Sequence, residues 1–141
     1  MKFLLALLGL FAIAAGQQYT DDEIAGYYLQ QTAREVGRPD WAAQVETTPD
    51  GPQMDALVQQ ILEEALGQLW TWANQLGQQG IQGEVETIWN NLDKVATARD
   101  VTNYIVQLDS LDKRLENAQA SRSRNNFNQF GNLGQFFSGF F

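Results

Sequence analysis

The residues able to do chemistry in this 141-residue chain are carboxylates, hydroxyls and nine Lys or Arg side chains, because cysteine and histidine are both absent. Any general acid, base or nucleophile would then need a neighbour that shifts its pKa. No such arrangement stands out. The adjacent acids Asp21-Asp22 and Glu63-Glu64 are not expected to form a catalytic dyad. They read as helix-start and solvated-face charges. Asp50-Gly51 with Asp55 has some likeness to a calcium loop, yet it lacks the alternating oxygen ligands and the closing Glu, and Pro52 interrupts it. Gly77, Gly80 and Gly83 follow a helical stretch rather than a strand, so they form no phosphate cradle. The chain is expected to be non-enzymatic, with no metal site and no cofactor.

Aromatic residues are the other candidates for function. Of the four tryptophans, Trp70 and Trp89 fall on apolar stripes and are expected in the core. Trp72 sits two positions from Trp70 and so points away from it, while Trp41 lies in a connecting segment. Trp41 and Trp72 are therefore the candidates for exposed aromatic contacts. Tyr27 and Tyr28 divide between two faces in the same way.

The elements that would position these groups are helical. Thr20-Asp21-Asp22-Glu23 has the form of a capping box, and Gly37 followed by Pro39 ends the helix it starts, at about residues 20–36. A short segment to Val45 and a Thr/Pro/Asp/Gly turn over residues 47–52 come next. Met54, Leu57, Val58, Ile61, Leu62, Ala65, Leu66, Leu69, Trp70, Ala73 and Leu76 then recur at three- and four-residue steps, predicting a second helix over about 53–76, the spine of the domain. Its wide stripe suits neighbours on two sides. A third helix is predicted over about 83–98, from Val85, Ile88, Trp89 and Leu92. A fourth, capped by Asp100, runs to Ala118 through Val101, Tyr104, Ile105, Leu108, Leu111 and Leu115. One bent helix in place of the last two is the alternative. No run of strict alternation suggests a strand, so the fold class is all-α, a small up-down bundle of about four helices.

Residues 1–16 have the layout of a secretory signal peptide: Lys2, an apolar run from Phe3 to Ala15, then small residues before Gln17. The run is about 13 residues, short of the ~20 that span a bilayer, and no transmembrane segment is expected. Removal of 1–16 leaves 8 basic against 17 acidic residues, which disfavours nucleic acid and anionic membranes as partners. The predicted address is secreted and extracellular. Without disulfides, stability must come from core packing or self-association, and no Asn-x-Ser/Thr sequon invites N-glycosylation.

The domain is expected to span 17–118 and to be followed by a low-complexity tail, 119–141. Six of the eight phenylalanines lie in the last 15 residues, among Gly, Asn, Gln and Ser. Phe127, Phe130, Leu133, Phe136, Phe137, Phe140 and Phe141 are the candidate interaction residues there. Uncharged, amide-rich, Phe-bearing sequence favours self-association or a protein partner. Several of the same rings also recur at helical steps and could meet lipid. Lys113-Arg114 and Arg122-Ser-Arg124 are possible processing sites. Together these features predict a secreted binding or assembly protein acting through its tail, with a carrier of lipid or another apolar ligand as the alternative.

Overall fold

Local capping chemistry sets the starts of the first and last helices and the ends of the first and third. The computed structural model describes the backbone of residues 19–125 and the side chains of 19–122. The signal segment 1–16 and the seven tail residues from Phe127 to Phe141 named above lie outside it. Helix α1, Asp21–Glu35, starts at Thr20, whose Oγ1 accepts from the Glu23 backbone N–H at 3.1 Å. The Glu23 carboxylate answers by accepting from the Thr20 hydroxyl rather than from its backbone N–H. At the far end Gly37 adopts φ +85°, and Gly37 and Arg38 donate to Arg34 and Ala33 carbonyls at 3.0 and 2.8 Å. This is the Schellman arrangement, in which a left-handed glycine lets the chain turn back on the last helical carbonyls.

Helix α2, Pro39–Thr47, forms where a short segment of one or two helical turns to Val45 was expected, and runs two residues further. Proline at its first position needs no N–H partner, and Arg38 braces its start by a two-pronged pair with Asp40, at 3.0 and 2.8 Å. Helix α3, Pro52–Gln75, ends as α1 does: Gly77 has φ +68°, and Gln78 N–H reaches the Ala73 carbonyl at 2.8 Å.

Helix α4, Gln79–Asn90, starts earlier and stops earlier than its periodicity suggested. Gly80 and Gly83 are accommodated inside it. The stop comes at Asn90-Asn91, where the Asn91 side chain donates to the Thr87 carbonyl at 3.0 Å and Leu92 drops into the core from a 3-10 turn, Leu92–Lys94. This break makes α4 and α5 separate helices. Helix α5, Ala98–Asn125, is capped by Thr97 rather than by Asp100. Asp100 sits at the third helical position and accepts from the Ala96 and Thr97 N–H groups, both at 3.1 Å, while Thr97 Oγ1 accepts from Asp100 N–H. That reciprocal box holds the Asp100 carboxyl below its ordinary pKa, chiefly through the two backbone donors.

The fold is all-α, five helices without a strand among the described residues. Helix α3 touches all four others, α1 packs on α2 and α5, and α4 packs on α3 and α5. Ile61, Leu62, Leu66 and Leu69 of α3 meet Val85 of α4 and Ile105, Leu108 and Leu115 of α5 in one fully buried core. Helix α5 continues past the expected domain end at Ala118, and Arg122 donates to the Gln75 carbonyl at 3.1 Å across the end of α3. None of the described helices is long and apolar enough to cross a membrane.

Candidate functional site

A groove opens where the first halves of α1 and α3 face the start of α5. Its α1 wall is Asp22, Ala25, Gly26 and Leu29, which share one face at three- and four-residue steps. Its α3 wall is Met54, Asp55, Val58, Gln59 and Leu62, and Asp50-Gly51 closes one end. The link Val95-Ala96-Thr97 with Ala98 and Val101 of α5 forms the third side, above Leu92. The cavity measures about 530 Å³, within the range of small-molecule sites, ~300–1,000 Å³.

Ala25, Leu29, Leu62, Leu92 and Val101 are buried at the groove floor, while Asp22, Asp50, Asp55, Gln59 and Thr97 are exposed at its mouth. Ion pairs among the described residues join Arg38 to Asp40, Arg99 to Asp21, Lys113 to Asp109 and Arg114 to Glu84. Asp22, Asp50 and Asp55 take part in none of them. Among the described residues no group of three or more His, Cys, Asp or Glu side chains could hold a metal ion, so these three aspartates do not form a coordination shell. Thr97, the one hydroxyl among the described lining residues, is engaged by the α5 cap. The groove can therefore enclose an apolar body and meet a polar group at its mouth, and its described lining residues include no nucleophile with an adjacent base.

Gly26 keeps this space open. It lies inside α1, where glycine costs about 0.5–1 kcal/mol relative to alanine, and a Cβ built there meets nothing within 4 Å. The backbone conformation does not require a glycine at this position, since the left-handed glycines are Gly37, Gly51 and Gly77. Gly80 and Gly83, inside α4, have equally open space at the Cβ position, but of the three only Gly26 lines the groove.

The predicted aromatic contacts are placed differently from expectation. Trp72 is 2% exposed, a correction of its assignment to the surface: it falls on the α3 face shared with Leu69, Ala73 and Leu76, which meets the core. Trp70, expected inside, is half-buried, and its Nε1 donates to Glu86 Oε1 on α4 at 3.0 Å. Trp89, also expected inside, is 37% exposed and lies over Gly67, where a Cβ would sit 3.9 Å from its ring. Trp41 is half-buried beneath the Arg38 guanidinium, 3.8 Å from the ring centroid, a cation–π contact. Tyr27 is exposed and Tyr28 buried. None of the four tryptophans lines the groove.

A second concentration of ionisable groups lies on the α5 face toward α1. Asp109 and Asp112 are both buried there, Asp109 near Tyr28 and Asp112 near Glu35 of α1. Lys113 Nζ stands 2.9 Å from Asp109 Oδ2, and Thr32 Oγ1 donates to the Tyr28 carbonyl at 2.8 Å. Burial pushes the Asp112 carboxyl up to about 8, with Glu116, Asp109 and Glu35 adding to the shift. Burial, and then the charge of Asp109, raises the Tyr28 hydroxyl. Lys113-Arg114 thus lies inside α5 with both side chains paired, and the Glu84 carboxyl is held below its ordinary pKa by Arg114. Compared with known proteins, the chain matches no family model, no curated protein and no solved structure.

Proposed function

We propose that the chain is a secreted, non-enzymatic binding protein that holds a small apolar molecule in the groove between α1, α3 and α5. The observation that supports this most is the groove itself: about 530 Å³ between three elements, with buried apolar side chains at its floor, exposed polar ones at its rim, and a helix-interior glycine in its lining. The proposal of secretion rests on the signal-like layout of residues 1–16. The groove is open along one side, so affinity is modest. At about 0.3 kcal/mol per non-hydrogen atom, a neutral probe such as N-phenyl-1-naphthylamine binds with a Kd on the order of 100 μM.

Gly26→Leu tests this reading without threatening the fold, because the substitution improves helix propensity and enters open space. Fluorescence titration of the full chain with that probe is expected to show at least a roughly tenfold loss of affinity in Gly26→Leu, with unchanged helical circular dichroism. Equal affinity in the two proteins would refute binding in the groove.

The Phe-rich segment is proposed as a second interaction element, favoured by its composition of aromatic and uncharged amide residues between 127 and 141. Light scattering over a concentration series is expected to show growth in size for the full chain and none for a chain ending at Asn125. The cut belongs at 125 because one at Ala118 would remove the last two turns of α5 and the Arg122 contact with Gln75. Identical size in both chains at every concentration would refute tail-driven assembly.

A further inference from the structure

We propose that the groove selects cationic amphiphiles: an apolar body in the cleft and an ammonium or other cationic head at its mouth. The inference rests on the groove-binding reading and adds the charge of the ligand to it. Three carboxylates line the groove from three separate places, Asp22 on α1, Asp50 in the turn before α3, and Asp55 on α3. None of them is paired with a described cation. No Lys or Arg is among the described lining residues. Lys94 and Arg99, the basic residues next to the α5 link in sequence, stand outside the lining, and Arg99 reaches toward Asp21 at 3.7 Å.

The opposing field comes from the helix termini. The starts of α1, α3 and α5 all meet the groove, and each presents the equivalent of about half a positive charge. Three such ends offset roughly half of the charge of three carboxylates, so the mouth remains negative. The α5 start is further satisfied by its own box, since Asp100 accepts two of the nearby N–H groups. The α3 start has no side-chain cap, but Asp55 lies in its first turn, which disfavours an anionic head there. A chain with formal charge −8 adds attraction for a cation at longer range.

The uncharged segment 126–141 has no basic side chain to place at this mouth, so the chain's own Phe-rich stretch lacks the matching charge. A small apolar molecule with one positive charge matches both halves of the site. The carboxylates are exposed, so their combined effect is modest and sensitive to salt.

The test is displacement of N-phenyl-1-naphthylamine from the full chain by decylamine, decanol and decanoate at neutral pH, each below its aggregation concentration. Decylammonium is expected to displace the probe at about one-tenth the concentration needed for decanol, equivalent to about 1.4 kcal/mol, and decanoate least well. High salt should shrink that difference. Asp50→Asn with Asp55→Asn should shrink it as well, weakening displacement by decylammonium more than displacement by decanol. Equal displacement by all three ligands would overturn charge selection while leaving the groove reading intact. A preference for decanoate would overturn it in favour of the uncapped α3 start as an anion site. Failure of the probe to bind at all, or binding undiminished by Gly26→Leu, would remove the groove reading beneath it.

Discussion

Raising the pH from about 5 to about 8 destabilises this protein, and Asp112→Asn abolishes most of that dependence. Asp112 is 1% exposed on the α5 face against α1, and burial pushes its pKa up to about 8 in the folded chain, far above the ordinary carboxylate value of about 4. The folded state therefore holds the proton more tightly than the unfolded one. The stabilisation from that proton is complete below the unfolded pKa and is lost as pH climbs from about 4 through about 8. The slope is of order 1 kcal/mol per pH unit where one proton is released on unfolding. Carboxylates with lowered pKa, Asp40, Glu84 and Asp100, act in the opposite sense. Their contributions are present above their ordinary pKa and disappear on acidification below about 4, so the window from about 5 to 8 isolates Asp112. Thermal melts of the full chain across that window are expected to fall for the wild type and stay nearly level for Asp112→Asn. Parallel curves for the two would show that Asp112 ionises normally in the fold.

Leu66→Ala lowers stability by about 3 kcal/mol, within the 2–5 kcal/mol usual for truncating a buried leucine. Leu66 is fully buried on α3, the helix that touches the other four. A cavity at its centre is bordered by several elements, none of which can close it without leaving its own partners. With no cysteine in the chain, no disulfide compensates. Urea denaturation should move the midpoint down with little change in slope; a loss under about 1 kcal/mol would mean that the core collapses readily around the missing methyls.

How much of this was legible beforehand followed the range of the interactions involved. Thr20, Gly37 and Gly77 act on residues within one turn, and they marked the ends of α1 and α3 correctly within a residue or two. The α5 start was misread because an acid three residues after a threonine can serve as either member of a box. Asp100 looked like the cap when Thr97 holds that place. The exchange of Trp70 and Trp72 has a longer-range cause. On a stripe as wide as that of α3 both rings have apolar neighbours in sequence, and only the seating of α4, marked by the Trp70–Glu86 bond, decides which one meets solvent. The buried acids of α5 were hidden for the same reason, since Asp109 faces Tyr28 and Asp112 faces Glu35, some eighty residues earlier.

The groove was the least legible feature. Its walls come from residues 22 to 101, and nothing in the local pattern joins them. The one sequence signal was Gly26, a glycine inside a well-capped helix, one position from Ala25 and three from Leu29. A structural reason for it appears only when α3 and α5 are in place and the space beside it is seen to be open.

The most direct test of groove binding is a ¹⁵N–¹H correlation spectrum of the full chain titrated with N-phenyl-1-naphthylamine. Binding as proposed predicts that amide shifts concentrate at Gly26, Gly51, Met54 and the stretch from Ala96 to Val101, and that they saturate. Shifts confined to α4, shifts spread evenly over the surface, or none at probe saturation would contradict it.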